Sequence, residues 1–147
     1  MADEVLRLLL PFDQTCHPEE ETYSPPYAIV NCYQDVPPFK QRAGFAFLTG
    51  TVAMAVRIVY NFMFGIRPCA EGISISPCLT EKYNGAKIVY NYNGKMLRFI
   101  YKRSEKRKVT VNGKDCRHTV RDVLSEKVLP LIPEHLLIDG TEIEIYY

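Results

Sequence analysis

The sequence predicts an α+β fold in which helices come first and strands follow, with the change near Arg67 and Pro68. Three observations carry that reading. Between residues 50 and 64, Val52, Val56, Val59, Tyr60 and Met63 recur at helical spacing, the clearest 3.6-residue repeat in the chain. Beyond Pro68 the pairs Asn84-Gly85, Asn93-Gly94 and Asn112-Gly113 punctuate strand-like runs, and Asn-Gly is the strongest short hairpin signal. Apolar and polar residues there alternate with the period of a half-buried strand. Two units are therefore expected, residues 1–68 and residues 69–147.

The individual elements follow from local chemistry. Val5, Leu6, Leu8, Leu9 and Leu10 form a short apolar cluster behind Asp3 and Glu4, charges that suit a helix start, and Pro11 closes it. Residues 12–26 are polar and proline-rich and read as a loop whose length hints at a ligand-facing role. Residues 27–33 are apolar enough for a buried helix or strand, which periodicity alone does not separate. Gly65 is placed to end the helix that starts near Gly50, and Pro68 prevents its resumption. Strands follow in which Ile73 and Ile75 alternate with Ser74 and Ser76, and Ile88, Tyr90 and Tyr92 share one face. Leu97, Phe99 and Tyr101 oppose Met96, Arg98 and Ile100, Val109 and Val111 flank Thr110, and Ile143 and Ile145 alternate with Glu142 and Glu144. The mixed-sign segment 102–108 reads as a solvated turn between strands.

Bulk properties narrow the function classes. A chain of 147 residues that is 47% apolar can bury one ordinary core. Its formal charge of +1, from 18 basic and 17 acidic residues, supplies no field that would draw it onto nucleic acid or an anionic membrane. A small neutral or locally anionic ligand fits better. Cys16, Cys32, Cys69, Cys78 and Cys116 are odd in number and contain no CxxC pair, so reduced thiols in cytoplasm are expected rather than a disulfide framework or a metal site. Acidic residues ahead of a short apolar run do not make a signal peptide, and no stretch reaches the ~20 apolar residues of a membrane span.

Thr49, Gly50 and Thr51 hold the most chemistry. Two hydroxyls and several backbone N–H groups at the start of a helix can hold an anion; equally, a threonine there can simply cap the helix. Arg67 can neutralise a helix C-terminus or pair internally. Tyr90, Tyr92, Phe99 and Tyr101 alternate as cross-strand core pairs do, with a sugar platform as the other reading. His17, His118 and His135 are expected at the surface, and Cys78 as a small buried hydrophobe.

Four blocks in fixed order add a family resemblance. PYAIVN at 26–31, FLTGTVA at 47–53, FGIRP at 64–68 and EGISISPCL at 71–79 resemble the closing segments PYVYAQ, SWLTGTA, LGIRP and DGLxIDPCIP of the phosphorylases in glycoside hydrolase family 94. TVNGK at 110–114 and the terminal TEIEIYY are similar to that family's last β-domain. The resemblance implies the final helices of an (α/α) barrel over residues 1–68, including a helix at 27–33, and a small C-terminal β-sandwich-like domain over 69–147. It implies the C-terminal part of an inverting phosphorolytic enzyme, in which phosphate attacks the anomeric carbon of a β-glucoside while a carboxylic acid protonates the leaving oxygen. Carried over residue by residue, it assigns phosphate contact to Thr49 and Gly50 with Thr51 as neighbour, and sugar contact to Asn31, where the family has a longer glutamine.

Departures from the pattern matter too. Phe47 and Met54 replace the family's bracketing tryptophans, and the chain has no Trp. The family's general-acid aspartate lies upstream of every matched block. Asp13, Glu19, Glu20, Glu21 and Asp35 stand in no matching context, so no catalytic acid is assigned and the chain alone is expected to be inactive. Arg42 is a weaker phosphate candidate, by proximity to the turn. No cofactor or metal is expected, with inorganic phosphate as co-substrate, a β-linked gluco-oligosaccharide as substrate, and the rest of the barrel or a second copy as partner. The competing expectation is a non-catalytic carbohydrate-binding or assembly module, whose helix would leave Val52, Val56 and Val59 uncovered.

Overall fold

Asn-Gly turns and period-two alternation translate directly into strands in the computed structural model of the chain, which describes residues 4, 32–34, 36–38, 42–44, 50–123 and 125–147. The chain divides into two compact units, Met1–Val59 and Tyr60–Tyr147.

In the first unit, strand β1 (Cys32–Gln34) pairs antiparallel with β2 (Arg42–Gly44), Cys32 opposite Gly44 and Gln34 opposite Arg42. Cys32 and Tyr33 are therefore extended where a helix was expected. The run is too short for its own pattern to choose, and the hydrogen bonds to residues 42–44 decide it. Helix α1 (Gly50–Arg57) follows. Apart from the helical residue Glu4, α1 is the α-helix that the described residues contain, and they do not show the paired helices expected of a barrel's end. The expected helix at 2–10 and loop at 12–26 lie outside the described residues, Glu4 excepted.

From α1 the chain runs into π-helical turns over Ile58–Met63. Gly65 ends them with φ +67°, as its position in the sequence predicts. The main chain then folds back: the Ser76 N–H donates to the Gly65 carbonyl at 2.9 Å and the Cys78 N–H to the Met63 carbonyl at 2.8 Å.

The second unit consists of two sheets enclosing one core. Strands β3 (Ile66–Cys69), β4 (Gly72–Ile75), β9 (Thr119–Arg121) and β10 (Val128–Pro133) form one sheet in the order β3-β4-β10-β9. Strand β10 is shared along its length: Val128–Pro130 face β9, and Leu131–Pro133 face β4. The other sheet runs β5 (Lys87–Tyr92), β6 (Lys95–Lys102), β11 (Glu142–Tyr146), β7 (Lys108–Val111), β8 (Lys114–Cys116). All its pairings are antiparallel except β6 with β11, where Phe99 lies beside Ile143 and Tyr101 beside Ile145.

Two of the three Asn-Gly pairs make the expected two-residue hairpins. Asn93 and Gly94 have φ of 51° and 83°, and Asn112 and Gly113 have 49° and 78°, the paired positive values of a type I′ turn. Asn84-Gly85 does something else. Asn84 has φ −60° and ψ 127° while Gly85 has φ 82°, a type II turn closed by the Ala86 N–H on the Tyr83 carbonyl at 3.0 Å. It connects the 3₁₀ turn Glu81–Tyr83 to β5, and the Asn84 side-chain oxygen accepts the Arg103 N–H at 2.9 Å.

The core takes Ile66, Ile73, Ile75 and Ile132 from the first sheet and Leu97, Phe99, Tyr101, Val109, Val111, Ile143 and Ile145 from the second. Apart from Ile66 and Ile132, which the sequence did not single out, these are the inward positions that alternation predicts, and Tyr90, Tyr92, Phe99 and Tyr101 lie in or against this core. Tyr90 and Phe99 meet edge to face at 6.2 Å, and Phe64 and Tyr101 at 5.2 Å. The fully buried Tyr101 hydroxyl donates to the Phe64 carbonyl at 2.8 Å, and burial drives its phenol far above the ordinary value of 10.0. Tyr101→Phe should lower stability by about 1–2 kcal/mol, since it strands that carbonyl at the end of the π-helical turns. Equilibrium urea unfolding, with m unchanged, is the check.

Candidate functional site

Glycine opens α1, and Gly50 with the main chain of Thr51 is the described part of the expected anion turn. Gly50 is exposed, and a Cβ built on it meets nothing within 4 Å. Thr51 occupies the first turn of α1, while Thr49 and Asn31 lie outside the described residues. Ala55 is buried, whereas Val52 (44%), Met54 (57%) and Val56 (50%) are open and Val59 is half-buried. Arg42 lies in β2.

Arg67 combines both structural roles expected of it. Its Nε donates to the Asn61 carbonyl at 2.9 Å within the π-helical turns, its guanidinium lies 5.2 Å over the Phe62 ring, and Nη1 is 3.7 Å from the Asp122 carboxylate. A cation that donates to carbonyls at the C-terminal side of helical turns meets the negative end of their dipoles.

Two carboxylates that the sequence did not single out organise the outer polar positions. Glu144, in β11, accepts from Lys102 Nζ, from Tyr146 Oη at 3.0 Å and from Thr110 Oγ1 at 3.1 Å. Lys102 chiefly, then Tyr146, holds its carboxyl below the usual 4.5. Glu134 accepts from Tyr92 Oη at 2.7 Å and Lys95 Nζ at 3.1 Å, which lowers its carboxyl likewise. The same bond to Glu134 pushes the Tyr92 phenol up to about 12. Both carboxyls titrate below their ordinary value when folded, so their contribution is complete above that value and fades as pH falls through the lowered one. Stability should hold down to about pH 4.5 and then decline, and Glu144→Gln should make that decline shallower. Thermal unfolding followed across an acid pH series measures it; an unchanged acid limb would contradict the linkage.

Tertiary structure also brings together groups remote in sequence. His118 and His135 are exposed, as expected, yet their rings meet edge to face at 6.3 Å beside an open cleft of about 510 Å³ that Lys114, Asp115 and Arg117 also line. Among the described residues no group of three or more His, Cys, Asp or Glu side chains is arranged to hold a metal. Cys78 is exposed rather than buried, because the strand β4 ends at Ile75 and the following chain runs along the surface. Cys116 is half-buried and directs its thiol at the Leu131 carbonyl, 3.3 Å away. Of the segment 102–108 read as a solvated turn, residues 103–107 form the connection, while Lys102 ends β6 and Lys108 begins β7. Among the described residues no helix is long and apolar enough to cross a membrane.

No family model matches the chain. Among curated proteins it is similar to the solabiose phosphorylase of Paenibacillus borealis, at 32% identity over 111 residues. The match takes in 70% of this chain and 14% of that protein, so the chain spans about one seventh of the length of the relative. It is thus a β-rich chain with a distant glycoside phosphorylase homologue.

Proposed function

We propose that the chain is the C-terminal part of an inverting glycoside phosphorylase of the family 94 type, with residues 1–68 belonging to the closing helices of an α/α barrel and 69–147 to the C-terminal β-domain. The similarity to solabiose phosphorylase carries the reading, because it covers 70% of the chain, and the four sequence blocks point to the same class of enzyme. In the assembled enzyme, phosphate attacks the anomeric carbon of a β-glucoside on the face opposite the departing sugar, which gives a sugar 1-phosphate. Thr49, Gly50 and Thr51 donate hydroxyl and N–H protons to the phosphate, and Asn31 contacts the sugar. The open space at Gly50 supports an approach of ligand to backbone there.

The proton needed by the leaving oxygen comes from a carboxylic acid outside this chain. Exposure of Val52, Met54 and Val56 supports an α1 that completes its packing against the rest of the barrel. The enzyme works in the cytoplasm. Incubation of the isolated chain with phosphate and cellobiose, laminaribiose, sophorose or solabiose should release no sugar 1-phosphate, whereas a chimera carrying this chain in place of the matching 111-residue segment of solabiose phosphorylase should release it from solabiose. An inactive but folded chimera would overturn the proposal.

A further inference from the structure

At one end of the two-sheet core the layers part between β10 on one side and β7 and β11 on the other. The result is a partly enclosed cleft of about 330 Å³. That size is at the lower end of the roughly 300–1,000 Å³ range of small-molecule sites. Ile75, Val109, Leu129 and Ile145 reach it from the buried interior, so the floor is hydrocarbon.

The rim is cationic. Arg107, Lys108 and Lys127 line the cleft, and no aspartate or glutamate does. Lys108 is partly engaged, with Nζ 4.5 Å over the Tyr146 ring and 3.9 Å from the Asp115 carboxylate. Among the described residues Arg107 and Lys127 make no ion pair, and both are exposed. The Tyr146 hydroxyl is already committed to Glu144 and the Tyr147 hydroxyl to the Thr80 carbonyl, which leaves their rings as walls rather than as polar ligands. A neutral sugar would find few directional partners here. An apolar body would cover the hydrocarbon floor and its charged end would reach Arg107 and Lys127.

We propose that this cleft binds an amphipathic organic anion, an aliphatic body of about eight carbons ending in a phosphate or carboxylate. The site is independent of the phosphate turn assigned above and lies wholly within the second unit. Octyl phosphate and octanoate are the probes, titrated into the full isotope-labelled chain below their micelle concentrations and followed by amide NMR. Both should saturate, with shifts centred on Ser76, Arg107, Val109, Lys127, Val128 and Leu129. Octan-1-ol and inorganic phosphate should each bind at least tenfold more weakly, because each supplies half of the recognition.

The double charge reversal Arg107→Glu with Lys127→Glu should weaken octyl phosphate at least tenfold, and Arg107→Lys with Lys127→Arg should restore it. Should the reversal fail to fold, high salt applied to the unaltered chain must weaken octyl phosphate while leaving octan-1-ol unaffected. Equal binding of octan-1-ol and octyl phosphate, full saturation by inorganic phosphate alone, or shifts centred outside the cleft would each overturn the assignment.

Discussion

Gly65→Ala is expected to lower stability by about 3 kcal/mol or more. A residue with a Cβ at φ +67° carries a left-handed penalty of roughly 1–2 kcal/mol. Overpacking typically adds another 1–3 kcal/mol. Here the overlap is against main chain: the added carbon falls 2.1 Å from the Ser76 carbonyl carbon and 2.3 Å from the Pro77 nitrogen, and no side chain can swing aside. Relief requires breaking the Ser76-to-Gly65 hydrogen bond that returns the chain after the π-helical turns. Gly94→Ala is the matched control, since φ is +83° but nothing lies within 4 Å, so it should cost only the left-handed penalty of about 1–2 kcal/mol. Urea midpoints for the two variants compare the terms directly. Equal losses would show that the chain around Ser76 yields freely. Against a usual total of about 5–15 kcal/mol, the Gly65 variant loses a large share of its fold.

Thr49→Val in the active chimera should lower kcat/KM for phosphorolysis about 10²–10³-fold, the usual effect of deleting one donor to a developing oxyanion. The substitution keeps the branched shape and removes the hydroxyl, so a cap role and a phosphate role give different readouts. Loss of a cap alone costs about 1 kcal/mol of stability and does not change the dependence on phosphate concentration. Loss of a phosphate donor raises the requirement for phosphate or lowers turnover at saturating phosphate. Release of sugar 1-phosphate at varied phosphate distinguishes them, and an unchanged kcat/KM would remove Thr49 from the site.

Much of the second unit was legible because its determinants are local. Alternation of Leu97, Phe99 and Tyr101 with Met96, Arg98 and Ile100 survives into the structure, since a strand's side chains must alternate whatever it pairs with. Asn93-Gly94 and Asn112-Gly113 could be read as hairpins because both residues tolerate the positive φ that the turn demands. Asn84-Gly85 shows the limit of that signal: the same dipeptide closes a type II turn when a 3₁₀ turn rather than a strand precedes it. Cys32 and Tyr33 show another, for a short apolar run takes the conformation of whatever it pairs with. Of the candidate phosphate turn, the structure describes the helix start at Gly50 that the sequence pattern placed there, while Glu134 and Glu144 carried no signal because Tyr92, Lys95, Lys102 and Thr110 stand far away in sequence.

Residue order by itself determined the strands around Ile73, Tyr90, Phe99, Val109 and Ile143 with their inward faces, the hairpins at Asn93-Gly94 and Asn112-Gly113, and that Gly65 ends the helical turns, because steric limits and side-chain periodicity act over a few neighbouring residues. Only the tertiary structure decided that β11 runs parallel to β6, that β10 divides its pairing between β4 and β9, that Cys78 stays at the surface and that His118 meets His135. Those outcomes depend on closing long loops against the gain from one shared core, and no short window of sequence holds both sides of that balance.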